Sequence, residues 1–346
     1  MIASITCLLL TCLGPWTGTP TALRQGVQVA DVPRYEFQRP LLNGMGTASL
    51  EDLRGKPVLL EFWGTQAAAL DDTMREALVW QAAYGDDLTV LFVEVKDATD
   101  LLVTSLALKK KWLGGRAMWT TESPCRVGLK GALPQFVLLS SEGVVLLKGT
   151  TESYELGFRD ELVEAIEDEL RGEVERRRRG PADQPARLAQ AWDLFSQGRI
   201  EAAFDLALSL AADPESDGTG AAAAGTTLDV FRARVERRLR RAAWQIENGF
   251  LLQAEEALAQ LEGQLASEAS LASQQAELSA ALHDESLRAE WKAAKDLAKL
   301  EQKLYAKGSK SVLVRQLARL AKKHSGTKSG ERAEHLFEAA RVSPYK

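Results

Sequence analysis

Thiols are the first candidates for chemistry in this chain, because a thiolate is both a nucleophile and a redox group. There are three cysteines, Cys7, Cys12 and Cys125. Cys7 and Cys12 fall in an apolar leader, so a processed chain keeps only Cys125. One cysteine cannot form an internal disulfide. Nor can it run a dithiol cycle, in which one thiolate attacks and a second resolves the mixed disulfide. Cys125 stands nine residues before Pro134, in an expected loop, with Arg126 beside it to favour the thiolate slightly. A single reactive thiol would form mixed disulfides with a partner or act as a one-cysteine peroxidase. The competing reading is an unpaired structural cysteine.

Other chemistry finds less support. His283, His324 and His335 are isolated, and none belongs to a spaced ligand cluster, so no metal is expected. There is no P-loop, no G-x-G-x-x-G after a strand and no G-x-S-x-G, so no cofactor is expected. Glu61 is a lone acid in an apolar run, costly unless hydrogen-bonded or neutral. It either faces a solvated edge or pairs with a cation such as Lys56. Residues 232–241 are rich in arginine, with Val235, Leu239 and Ala242 at helical spacing. That pattern reads as an amphipathic helix with a solvated cationic face. Nucleic-acid binding asks for a basic domain with interleaved aromatics, and the net charge is −5. The basic run 176–179 precedes Gly180-Pro181 and reads as a helix C-terminus whose cations complement the dipole. A phosphate or acidic-partner patch is the other reading.

The elements that must position these residues are legible in outline. Residues 2–13 are apolar and are followed by Gly14, Pro15 and small residues to Ala22, as in an export signal, though without a basic start. A signal over 1–22 and a periplasmic or secreted protein are expected, with no transmembrane helix in the mature chain. Cys12 lacks the usual small residue before it for lipidation. Residues 23–34 read as an unstructured lead-in, 35–37 and 41–42 as weak strand, and 58–62 as a buried central strand after the Gly55-Lys56-Pro57 turn. Helical spacing follows over 67–84, then a strand over 88–95 and a helix over 100–113 stopped by Gly114-Gly115. Residues 136–147 form a hairpin about Ser141-Glu142-Gly143, and a long amphipathic helix spans 154–179. Trp112 and Trp119 read as core. The alternation of strand and helix predicts a layered α/β domain.

The stretch S-L-E-D-L-R-G-K-P-V-L-L-E-F-W-G-T over residues 49–65 resembles the TlpA-like/redoxin thiol reductases (AhpC/TSA-like). Their phrase runs S-L-x-D-L-x-G-K-P-V-L-L-x-F-W-x-T-W-C-x-x-C. The likeness covers about residues 30–175 and implies a thioredoxin-like domain over 30–179. It departs at the chemistry, because Gln66 replaces the tryptophan and Ala67 and Leu70 replace the two cysteines. The resemblance implies a cis peptide at Pro134 facing that position, and a buried acid at Glu61 whose proton relay has lost its client. It also implies a binding groove at Trp63, Gln66, Ala67 and Pro134 that holds a protein or peptide without disulfide exchange.

Residues 180–185 read as a linker, and 186–346 as an all-α domain. Ala191, Leu194, Gly198, Ile200, Ala203 and Ala207, then Ala242, Gly249, Leu251, Ala254 and Leu258, resemble tetratricopeptide-like helix pairs. The Gly-, Ala- and Thr-rich stretch 215–227 between them reads as a flexible loop. The expected function is non-catalytic binding of proteins or peptides in the cell envelope. The alternative is a thiol–disulfide oxidoreductase or peroxidase-like enzyme using Cys125.

Overall fold

A computed structural model describes residues 26–65, 70–129, 133–150, 159–181, 184–213 and 218–342. Period-two alternation builds its sheet. Strands β1 (Val58–Trp63), β2 (Thr89–Glu94), β3 (Met118–Thr120), β4 (Gln135–Leu139) and β5 (Val145–Thr150) line up in the order β3-β2-β1-β4-β5. β1, β2 and β3 are parallel, β4 runs antiparallel to β1, and β5 runs antiparallel to β4. Leu59, Trp63, Val90, Phe92, Phe136 and Leu138 share one apolar cluster. Val58, Leu60, Phe62, Leu91, Val93, Val137 and Leu139 share the other. Successive side chains point to opposite faces, so a buried central strand needs both sets to be apolar.

Helices α1 (Leu70–Tyr84) and α3 (Arg159–Arg179) cover the first face with Met74, Ala77, Trp80, Ile166 and Leu170. The Trp80 indole donates to Glu167 at 2.9 Å and ties the two together. Helix α2 (Asp100–Lys110) is capped by Thr99 and ends at Lys111, whose φ of 63° is left-handed. This is the thioredoxin-like arrangement that the resemblance implies, and a helix-rich region follows it. β3 is a short strand that sequence patterning does not assign. The stretches 66–69 and 151–158, which overlap the starts of the helices expected over 67–84 and 154–179, lie outside the described residues, as does the leader.

The lead-in is ordered where it is described. Val27 N–H donates to Arg126 O at 2.7 Å, and Ala30 and Asp31 exchange 2.8 Å bonds with Val145. The free edge of β5 offers unpaired backbone groups, and these residues satisfy them. Gly26 crosses Gly128 so closely that a Cβ on it would lie 2.1 Å from Gly128 Cα.

Beyond the sheet come α4 (Ala186–Ser196), α5 (Ile200–Ala211), α6 (Gly218–Glu247), α7 (Leu251–Ala259) and α8 (Ala269–Leu282). They enclose a second core built on Trp192, Phe195, Phe204, Phe231, Val235 and Leu239. Gly198 and Gly249, at φ of 80° and 76°, make the turns after α4 and α6 that a side chain would strain. The expected flexible loop is a correction. From Gly218 onward it is the first turns of α6, with Ala224 and Thr227 buried. Alanine is the best helix former, and packing outweighs the glycines.

Helices α9 (Arg288–Lys307), α10 (Ser311–Lys323) and α11 (Lys328–Arg341) return to the sheet. Leu300, Leu304, Leu317 and Leu336 join the same cluster as Val103, Leu106 and Trp112. Ser105 Oγ donates to Val342 O at 2.8 Å. No helix among the described residues is long and apolar enough to cross a membrane.

Candidate functional site

The candidate site lies where β1 ends. Gln135 pairs with Phe62, so Pro134 stands opposite Trp63. The Leu133–Pro134 peptide is cis, as the resemblance implies, and Pro134 is buried. A Cβ on Gly64 would lie 2.5 Å from Lys96 Cγ and 3.3 Å from Leu133 Cδ1. The ends of β1, β2 and β4 therefore meet around Gly64. α1 begins at Leu70, one of the two positions at which the resembling family has cysteine. Gln66 and Ala67 lie outside the described residues.

Trp63 is a correction. It was expected to line the groove, yet it is wholly buried. Its ring meets Trp119 edge to face at 6.0 Å and 89°, and Trp119 stacks on Phe92 at 4.3 Å and on Trp112 at 5.9 Å. Alternation puts Trp63 on the same face as Leu59, under α1, so it supports the site from below. Trp112 and Trp119 are core, as expected.

Glu61 is 6% exposed. In register it sits between Phe92 of β2 and Phe136 of β4. Burial pushes its carboxyl up to about 8, and the hydrogen bond with Thr73 of α1 only partly offsets that. At neutral pH the acid is mostly protonated, which is the inexpensive state for a carboxyl without a cation. It neither reaches a solvated edge nor pairs with Lys56. Sequence spacing marked the acid; the hydroxyl that meets it comes from another element.

Cys125 is elsewhere. It is half-buried in the loop between β3 and β4 and packs against the opposite face of the sheet, with Leu60, Phe62 and Val127 in that cluster. Burial pushes its thiol up to about 12. Arg126 does not supply the expected thiolate stabilisation. The structure therefore does not bring Cys125 to Pro134 and Glu61.

The histidines are likewise apart. His283 Nδ1 lies 2.8 Å from Ser279 O, His324 Nε2 lies 2.9 Å from Asp296, and His335 Nε2 lies 3.4 Å from Thr104 Oγ1. Among the described residues no three His, Cys, Asp or Glu side chains converge as metal ligands. A cavity of about 170 Å³ lies between the N-terminal segment, β3, α2 and α11, and is lined by Arg39, Asp100, Trp119, Glu122 and His335. Its charges are spent on structure: Arg39 pairs with Asp100 at 3.2 Å, and Glu122 accepts from the N–H groups of Gln38 and Arg39 at 2.8 Å.

No family model and no curated protein matches the chain. Solved structures do resemble part of it. A putative thiol:disulfide interchange protein DsbE from Chlorobium tepidum is 22% identical over 43% of this chain and 99% of its own, with a TM-score of 0.33. A putative protein disulfide isomerase from Bacteroides thetaiotaomicron is 19% identical over 42% and 94%, with a TM-score of 0.33. A domain of a possible thiol-disulfide isomerase from Cytophaga hutchinsonii is 18% identical over 42% and 98%, with a TM-score of 0.29.

Proposed function

We propose that this chain is an exported thioredoxin-fold protein that binds a protein or peptide segment without exchanging a disulfide. The observation that carries the reading is the substitution at the end of β1, where Ala67 and Leu70 stand in place of a cysteine pair. Neither side chain supplies a thiolate, a hydroxyl or a metal ligand. Around that position stand a buried Pro134, a neutral acid at Glu61 and a buried indole at Trp63. A surface kept without its reactive atoms is suited to holding an extended segment at Gln66, Ala67 and the Pro134 turn. The glycine-turned helix pairs α4/α5 and α6/α7, read as tetratricopeptide-like units, offer a second face for a partner. The apolar leader over 2–13 supports export to the periplasm or beyond.

The test is a thiol–disulfide turnover assay on the full chain and on Cys125→Ser, run beside a peptide-library binding screen. No turnover by either protein is expected. Peptides should bind wild type and lose about tenfold in affinity to Ala67→Arg, which replaces a methyl group of the proposed surface with a long cation. Turnover that disappears in Cys125→Ser replaces this reading with a one-cysteine oxidoreductase. A screen that yields no peptide dependent on either surface sinks it.

A further inference from the structure

The arginine-rich face of α6 was expected to be solvated. It is turned inward, against the turn that leads into β1. Arg234, Arg237, Arg238 and Arg241 fall at helical spacing and share that face, and each is only partly exposed. A Cβ on Gly55 would meet Arg237 Nη2 at 3.0 Å and Arg234 Nε at 3.6 Å. From α3, Arg177 Nε donates to Gly55 O at 2.5 Å. Lys56 is the next residue along the turn. Three elements thus bring cations to one place.

The nearby carboxylates are already engaged. Asp87 holds Arg177 and Arg178, and Asp86 holds Arg116. Glu51 pairs with Arg54 at 2.8 Å. Asp52 accepts the N–H groups of Ala48 and Ser49 at 3.0 Å. Glu142 takes the hydroxyls of Ser140 and Ser141 at 3.1 and 2.7 Å. Among the described residues Lys56, Arg238 and Arg241 have no hydrogen-bond or ion-pair partner. Arg234 has only the Trp192 ring, 4.9 Å from its guanidinium carbon, and its Nε is buried without an acceptor.

Electrostatics reports the same imbalance. Burial first, then the charges of Arg241, Arg177, Arg116 and Arg238, pull Lys56 down to about 7. Arg234 is drawn down to about 9 by burial and then by Arg177 and Arg237. Arg238 and Arg241 are lowered by burial and then by Arg177 and Arg116 respectively. Like charges held together where they are partly shielded from water are unfavourable unless an opposite charge joins them. An arginine cannot escape by losing its proton.

We propose that Lys56, Arg234, Arg238 and Arg241 form a binding site for a phosphate-type oxyanion of at least two negative charges. Guanidinium forks match the paired oxygens of such a group, and an ammonium beside them adds a point charge. From Arg234 to Arg241 the helix rises by about 10 Å, room for one or two phosphate groups rather than for a long polyanion.

Isothermal titration calorimetry on the full chain, in chloride buffer at constant ionic strength, tests this with inorganic phosphate, pyrophosphate and glycerol 3-phosphate. Saturable binding is expected, with Kd between about 10 µM and 1 mM. Arg238→Gln/Arg241→Gln should weaken it at least about tenfold. Arg240→Gln, on the exposed side of α6 and near Glu236, should leave it unchanged. Glycerol 3-phosphate binding as tightly as phosphate identifies the phosphate of a larger molecule, whereas binding of the inorganic anions alone identifies the free ion. The double variant should also unfold at a higher temperature than wild type in chloride buffer, which separates loss of binding from loss of fold. Absence of saturable heat up to about 10 mM of each anion overturns the site. So does equal weakening by Arg240→Gln, or a double variant that unfolds below wild type in chloride.

Discussion

The two ends of β1 face the same physical problem and solve it differently. Within its C-terminal half Glu61 is enclosed between Phe92 and Phe136 and, among the described residues, meets no cation, and at its N-terminal approach Lys56 lies beside arginines and, among the described residues, pairs with no carboxylate. Glu61 discharges itself by holding its proton up to about 8, helped by a hydroxyl from Thr73. Lys56 discharges partly, at about 7, but the guanidiniums beside it stay charged. A buried acid is self-sufficient, whereas a half-buried arginine cluster is incomplete until an anion arrives. One end therefore neutralises its own charge, whereas the other is the proposed anion site.

The comparison breaks hardest at the Glu61 end. Ala67→Cys/Leu70→Cys should introduce dithiol chemistry, because a buried acid at Glu61 is available for proton transfer. Insulin-reduction turnover should rise at least about a hundredfold above wild type. Adding Glu61→Gln should then lower it by about a hundredfold or more, the usual range for losing a proton-transfer group. No turnover in the double-cysteine protein would mean that the loop geometry was lost along with the thiols.

Trp63 comes next. If it is support rather than surface, Trp63→Ala removes a wholly buried indole from the Trp119 stack and should destabilise the fold by about 3–5 kcal/mol in urea denaturation. A loss below about 1 kcal/mol would return Trp63 to the groove.

The titrations sharpen the contrast because their signs oppose. Between about 4.5 and about 8 the folded chain holds the Glu61 proton and the unfolded chain does not. Stability should therefore fall as pH rises through that window, by up to about 1.4 kcal/mol per unit, and Glu61→Gln should remove the slope. Between about 7 and 10.5 the unfolded chain holds the Lys56 proton and the folded chain has shed it, so this group makes stability rise with pH. Lys56→Met should flatten that second limb, as read from urea midpoints across pH.

The smallest effect belongs to Cys125. With its thiol pushed up to about 12, alkylation by iodoacetamide at pH 7 should be far slower than for a free cysteine. Cys125→Ser should shift stability by less than about 1 kcal/mol. Rapid alkylation would move the reactive centre to the opposite face of the sheet.

Much of the layout is legible along the chain. Residues 58–63 are apolar but for Glu61, so they had to be a central strand, and the hairpin about Ser141-Glu142-Gly143 followed from turn chemistry. The short strand Met118–Thr120 was not legible, since three residues carry no periodicity. The alanine and glycine stretch before Leu228 was misread as loop, because small residues look featureless until a neighbour packs on them.

The sequence by itself determined which atoms are present. It put alanine at 67 and leucine at 70, placed an acid within β1, and set four arginines on one side of α6. These are covalent facts and local periodicities, and they hold whatever the chain packs against. Only the tertiary structure decided what covers each side. A helical period states which residues share a face, but not whether water, an apolar core or Lys56 lies opposite. Burial and the distance between charges depend on elements far apart in the chain. Hence the neutral state of Glu61, the enclosure of Trp63 and the uncompensated cations beside Gly55 emerged only once the strands and helices were assembled.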